Sequence, residues 1–350
     1  MSFVTTLLVS DDATAHPAPV TDPVLVNPWG MSSSPAGPFA VSDNGSGKVT
    51  LYSIDPGTQA TTKQSLTITL QGNGSVTGQV VSGHAGSFNG DLTLFVSQDG
   101  AVSGWRSALG TTAELFVTPS PTNVYTGAAF GSLSGNDYLY AANFYSGHID
   151  VFKGTSGIPD LASRFDDPVL PSGYAPFNIQ NLGGVMYVTY APQDTTHRNP
   201  LEGAGLGIVD RFDLQGTFLG RVATGGSLDD PWGVAIAPSS FGALTGSLIV
   251  GNAGDGSISA FGANDLFLRR IVGANGQPLT IDGLRALSVG TGGSSGSSAS
   301  LYFTAGPQGG VHGVFGVLTP IPEPSAAALL PAAVALMTAR ALRARSVLRS

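Results

Sequence analysis

The residue types that do acid–base, nucleophilic or metal chemistry are few and scattered in this chain. Five histidines are present, His16, His84, His148, His197 and His312, and none pairs at a metal-ligand spacing such as HxxxH or HExxH. There is no cysteine, so thiolate ligands, a thiol nucleophile and a disulfide framework are all excluded. No phosphate-binding loop or strand-linked dinucleotide fingerprint occurs. His84, in SGHAGSF, could approach a molecular axis, although a plain loop role is the simpler reading. His148 and His312 fall in equivalent positions of two repeats, which favours structural or surface roles. No catalytic residue is assigned.

A second set of polar residues is more regular. Asn27, Trp29, Asp43, Asn44, Asp99, Asn143, Asn178, Asp230, Trp232, Asn252 and Asp255 recur at matching points of a repeated pattern. Carboxylates and carboxamides gathered around a channel mouth could hold Ca²⁺ or sugar hydroxyls through oxygen ligands. Trp29 and Trp232 could stack on a sugar face. The same residues also suit structural work, because Asn and Asp satisfy turn backbones and Trp packs between sheets. The metal, if any, stays unassigned, and no other cofactor is expected.

What positions these residues is a repeat. A Gly/Asn/Asp/Ser turn followed by an alternating strand with a closing aromatic occurs six times: DNGSGKVTLY, QDGAVSGW, NFYSGHIDVF, GAGLGIVDRF, NAGDGSISAF and GPQGGVHGVF. The closing aromatics, Tyr52, Trp105, Phe152, Phe212, Phe261 and Phe315, are spaced by 53, 47, 60, 49 and 54 residues. Each turn follows a short apolar run such as PFAVS, LTLFVS or SLIVG, the mark of a strand buried on both faces. VNPWGMSSSP and DDPWGVAIAP are near copies that open two of the units. A unit of about 50 residues with four strands is a propeller blade. The sequence therefore predicts an all-β, six-bladed β-propeller of four-stranded antiparallel blades over residues 1–319, followed by a separate segment over 320–350.

An open ring would expose two sheet edges. The strand FVTTLLVS, at Phe3–Ser10, has no unit of its own and is expected to close the last blade. Ala191–Gly207 is polar and predicts a surface loop. Gly290–Ser300 is Gly/Ser-rich and predicts a flexible, exposed hairpin tip. The composition supports a large core: of 350 residues, 42% are hydrophobic and only 11% charged, with 49 Gly and 23 Pro to punctuate short strands. Four of the 15 basic residues and one of the 23 acidic ones fall from Pro320 onward, leaving 11 basic and 22 acidic residues before it. An acidic body repels phosphate backbones, so nucleic acid is not an expected partner.

The ordered motifs VNPWGMSSSPAGPFAVSDNGSG, LYAANFYSGHIDVF, GYAPFNIQNLGGVMYVTYAPQD, GGSLDDPWGVAIAPSSFGALTGSLIVGNAGDGSISAF and LYFTAGPQGGVHGVFG resemble an uncharacterised bacterial family. Its members are read as six-bladed propellers related in shape to NHL-repeat proteins, often with a PEP-CTERM sorting tail. The resemblance spans about residues 7 to 318. It implies the propeller fold and carries no activity.

The last segment holds Pro322, Glu323 and Pro324, then fifteen residues without a charge, then Arg340, Arg343 and Arg345. Pro-Glu-Pro, apolar stretch and Arg cluster, in that order, look like the PEP-CTERM signal. That resemblance implies an exported protein held for a time in the inner membrane until an exosortase-like enzyme removes the tail. The apolar stretch, with Arg340 snorkelling, makes a short C-terminal helix and a marginal span, arginines inside. MSFVTTLLVSDD shows no secretory signal, so an upstream in-frame extension carrying one is expected.

These observations favour an exported, non-enzymatic binding module for a protein or glycan at the cell envelope or in extracellular matrix. The alternative is a lactonase- or lyase-like propeller enzyme using a divalent metal at the channel mouth. A structural matrix protein without a small ligand is a third reading.

Overall fold

This computed structural model describes residues 1–321. The C-terminal helix and the sorting residues Pro322, Glu323, Pro324, Arg340, Arg343 and Arg345 lie outside the described residues. The chain opens with β1 (Ser2–Ser10) and the two-residue β2 (Val20–Thr21). Six sheets follow around an axis. Blade 1 is β3 (Pro28–Ser32), β4 (Phe39–Asp43), β5 (Lys48–Ile54) and β6 (Thr61–Thr69). Blade 2 is β7 (Val76–Val81), β8 (Thr93–Ser97), β9 (Val102–Trp105) and β10 (Glu114–Val117). Blade 3 is β11 (Tyr125–Leu133), β12 (Asn136–Asn143) and β13 (His148–Lys153). Blade 4 is β14 (Tyr174–Leu182), β15 (Val185–Pro192), β16 (Ile208–Phe212) and β17 (Phe218–Thr224). Blade 5 is β18 (Pro231–Ile236), β19 (Leu248–Asn252), β20 (Ile258–Phe261) and β21 (Phe267–Arg270). Blade 6 is β22 (Leu284–Val289), β23 (Leu301–Ala305) and β24 (Val314–Ile321), completed by β1 and β2.

The expected closure is present. β1 runs antiparallel to β24, with Ser2 opposite Ile321 and Ser10 opposite Val314. Phe3 is buried there, its ring 4.7 Å from Phe241 of the neighbouring blade. Each closing aromatic of the repeat lies on the third strand of its blade, and Tyr52, Phe212 and Phe315 are fully buried. The second strands β4, β8, β12, β19 and β23 are buried on almost every residue, as unalternating apolar runs require.

Two blades depart from four strands. Blade 3 has three, because residues 154–173 carry Pro159, Pro168 and Pro171, which cannot donate to a ladder. That segment crosses to blade 4 instead. The Phe165 amide donates to the Gly216 carbonyl, and its ring packs 5.4 Å from both Tyr140 and Phe212. Blade 6 gains a fifth strand, because β2 pairs parallel to β1. The Gly290–Ser300 hairpin is also not the free tip its composition suggests. It docks on blade 1, where the Ile54 amide donates to Ser294 at 2.7 Å, and Ser295 is fully buried.

The innermost strands β3, β7, β11, β14, β18 and β22 approach closely around the axis. A Cβ on Gly30 would stand 2.5 Å from the Thr77 carbonyl oxygen, and one on Gly78 would stand 2.5 Å from the Ala128 nitrogen. Only glycine fits where inner strands converge so tightly. Among the described residues no helix is long and apolar enough to cross a membrane.

Candidate functional site

The inner strands all begin at one face, called the top here, and end at the bottom. The sequence-predicted polar residues lie at or near the top, and the structure divides them. Trp29, Trp232 and Asn178 meet on the axis. The Trp29 and Trp232 rings cross edge to face at 6.0 Å, and Phe177 lies 6.2 Å from Trp29. The Trp232 indole of blade 5 donates to the Thr126 carbonyl of blade 3 at 3.0 Å, so it reaches past blade 4. Asn178 Nδ2 donates to the Trp232 carbonyl at 2.8 Å. Trp29 is 5% exposed and Trp232 3%, so neither face is open for stacking on a ligand at the top. The Arg285 guanidinium lies over Trp29, 4.6 Å from the ring centroid. Together these side chains plug the axis.

The remaining members stitch the blades. Asn27 and Asp230 hold left-handed backbone, φ 46° and 48°, immediately before the two Pro-Trp-Gly copies. Their carbonyls accept from the amides of Asn44 and Ala253. Asn27 Nδ2 donates to Asn44 Oδ1, and Asn44 Nδ2 donates to Gln98 Oε1 in blade 2. Asn143 Nδ2 donates to Asn123 and Asp150, and Asn252 Nδ2 to Ser227, Asp255 and Ser257. Asp99 accepts the Asn73 and Ala101 amides. Asp43 accepts from the Thr50 hydroxyl, and burial pushes its carboxyl well above the usual range. Asp230 is fully buried and neither carboxylate oxygen has a hydrogen-bond partner among the described residues. Burial, with Asp229 and Glu202 nearby and Arg285 opposing, pushes its carboxyl up to about 7. The Ala191–Gly207 loop is at the surface as expected. It is organised by Asp194, whose Oδ1 accepts the Thr196 and Arg198 amides, and Arg198 lies over Tyr145 of blade 3.

Below the plug the axis opens into a cavity of about 570 Å³ at the bottom face. All six inner strands line it, with Asn178 and Trp232 near its floor. Ser32, Gln79, Phe130, Gln180, Asn181 and Ser288 supply most of its character. Among the described residues none that lines it is Asp, Glu, Lys, Arg or His. Ser32 Oγ and Gln79 Oε1 are buried there without a partner among the described residues. Sequence reasoning did not single out these residues. They sit at the ends of inner strands, next to hairpins of varied length, where no motif repeats. The only signal was a polar residue closing each small-residue inner strand, as in GMSSS, FNIQN and ALSVG.

Beside the mouth lies a feature that sequence also left undefined. His84, on the β7–β8 hairpin, donates from Nδ1 to Asp137 Oδ2 at 2.9 Å. Asp137 heads β12 in the next blade, is 5% exposed, and also accepts from the Ser87 hydroxyl. Burial pushes its carboxyl up, but the bonds from Ser87 and His84 outweigh burial and hold it below the ordinary carboxylate range. The His84 ring packs edge-on to Phe130, 5.9 Å between centroids. Among the described residues no three His, Cys, Asp or Glu side chains stand together as a metal site.

Fold and site define a six-bladed β-propeller with a plugged axis and one uncharged cavity. An uncharacterised protein of Acanthamoeba polyphaga mimivirus is 31% identical over 280 residues, 77% of this chain and 69% of its own length. A second uncharacterised protein of the same virus is 29% identical over 283 residues, 76% and 74% of the two chains. The chain belongs to the family of these uncharacterised proteins. No established family profile matches the chain. Among solved structures, an α-L-arabinofuranosidase of Fusarium graminearum aligns with TM-score 0.55 at 12% identity, covering 91% of this chain and 98% of its own. A protein of unknown function from Bacteroides thetaiotaomicron aligns with TM-score 0.53 at 11% identity, covering 91% and 76%. At such identities the likeness concerns the fold alone.

Proposed function

We propose that this protein binds a neutral, hydroxyl-rich ligand of the glycan class in its axial cavity. One observation carries the reading: in a chain of formal net charge −8, the cavity lining holds no ionisable side chain among the described residues. Amide and hydroxyl groups present donors and acceptors to sugar hydroxyls, and Phe130 offers an apolar ring edge. A charged ligand would lose its hydration there without a counter-charge. The volume lies within the range of small-molecule sites. The plug at Trp29 and Trp232 makes the site a dead end, so the ligand enters and leaves at the bottom.

The Pro322–Arg345 tail supports export with transient anchoring in an inner membrane and removal by an exosortase-like enzyme. The ligand would then be an envelope or matrix glycan. The reading of a metal-dependent enzyme at the top of the channel is the weaker one: Asp43 Oδ1 and Asn252 Oδ1 lack hydrogen-bond partners among the described residues, but no three His, Cys, Asp or Glu side chains stand together among those residues.

Calorimetry of the full chain against neutral and acidic oligosaccharides tests the cavity reading. Binding of a neutral sugar is expected, indifferent to EDTA and only weakly salt-dependent. Gln180→Ala or Phe130→Ala should weaken it about tenfold, equivalent to about 1.4 kcal/mol. Binding confined to charged glycans, or unchanged in both variants, would refute it.

A further inference from the structure

We propose that His84 is a general base that hydrolyses a carboxylic ester carried by the ligand of the axial cavity, with Asp137 as its positioning residue. The proposal rests on the cavity reading and adds an activity to it. The geometry is that of an oriented imidazole. Asp137 grips Nδ1 through both oxygens, at 3.0 and 2.9 Å, which fixes the proton on Nδ1 and leaves the Nε2 lone pair available. The His84 side chain is 54% exposed, while that of Asp137 is 4% exposed, so the carboxylate is held and the base is free. The Ser87 hydroxyl also donates to Asp137 Oδ2. The only other His–Asp pair among the described residues, His312–Asp11, packs against His16 at the top, away from the cavity.

Position supplies the second argument. His84 packs against Phe130, which lines the cavity; the imidazole is not itself part of the cavity lining, and the ester of a seated ligand must extend past the Phe130 ring to meet it. A crevice of about 450 Å³ beside it is lined by Ser132, Asn136 and Thr155 and contains no Lys or Arg. The reaction class follows from what is present. Glycoside hydrolysis ordinarily uses two facing carboxylates, and here the single carboxylate is bonded to the imidazole. Phosphoryl transfer needs cationic stabilisation, which neither cavity nor crevice offers. An acyl ester needs one base and neutral donors to the developing oxyanion, and Asn136 and Thr155 are neutral donors in the crevice. His84 Nε2 takes a proton from water as the water oxygen bonds to the acyl carbon. The acyl–oxygen bond to the ligand then breaks, and His84 returns the proton to the departing alkoxide. The products are a carboxylic acid and the free ligand hydroxyl.

The test measures acetate release by the full chain from O-acetylated neutral oligosaccharides, and hydrolysis of p-nitrophenyl acetate as a small probe. Saturable release that His84→Ala and His84→Gln each slow by about 100-fold or more is expected. Calorimetric binding of the deacetylated sugar should be unchanged in both. Asp137→Asn should slow release and displace its pH profile, which a merely structural pair would not do. Equal rates in wild type and both His84 variants, with sugar still bound, overturn the proposal. Loss of sugar binding with His84-dependent hydrolysis of the small ester intact supports the base and overturns the cavity reading instead.

Discussion

Asn27 and Asp230 occupy one position in two blades, and the pair shows what a single atom does there. Both take left-handed backbone, which Asn and Asp tolerate better than other side chains with a Cβ. Asn27 gives its amide to Asn44, whereas Asp230 faces Ala253 at the matching point and keeps a buried carboxylate without a partner. The folded protein therefore favours the protonated form, with the carboxyl at about 7 against 3.8 for an aspartate in water. Between those values the native state binds more protons than the unfolded chain, so stability from this group falls as pH rises. Asp230→Asn should raise the melting temperature at pH 8. The gain should shrink as pH falls through 7 and vanish below about 4. Melting curves at pH 8 and 4 check this, and an equal shift at both would count against it. His84 makes a different point at this scale. Its partner is 53 residues away, about one blade, so no local motif could announce the pair.

At the level of elements, the closing strand bears most on stability. Deleting Met1–Asp12 removes buried Phe3, Leu8 and Val9 and bares the edge of β24. The melting temperature should drop by about 10 °C or more, as read by calorimetry; an unchanged curve would mean that the ring is held by other contacts. This strand was legible in sequence because it stood outside the six units. The second and third strands were legible for the same physical reason, since burial between sheets demands unbroken apolar runs and Tyr52, Phe212 and Phe315 recur at their ends. The outer edge was not. Nothing in the spacing from Phe152 to Phe212 distinguishes a long loop from a fourth strand, and only the prolines at 159, 168 and 171 hint at the difference. The cavity was not legible either. Asn143 and Asn252 stand in conspicuous turns and prove to satisfy those turns, while Gln79 and Gln180 look like ordinary strand residues until six inner strands converge.

For the whole molecule, the two faces are unequal. The top is sealed by tryptophans and stitched by carboxamides, and the bottom presents a neutral cavity with an oriented histidine in a neighbouring crevice. If the tail acts as proposed, the protein expressed in an exosortase-bearing host with a secretory leader should reach the envelope or medium. Intact-mass measurement there should find Arg340, Arg343 and Arg345 removed. Recovery of the exported protein with Arg349 still attached would refute the sorting role.

The pairing of Ser2 with Ile321 also sets a schedule for synthesis. Apart from its two-residue pairing with β2, β1 has no strand to lie against until β24 has been made. Until then the growing chain carries two raw backbone borders, one at its start and one at its newest sheet. The circle can shut only once β24 has been made, so termination anywhere before β24 yields an open, adhesive arc rather than a smaller working protein.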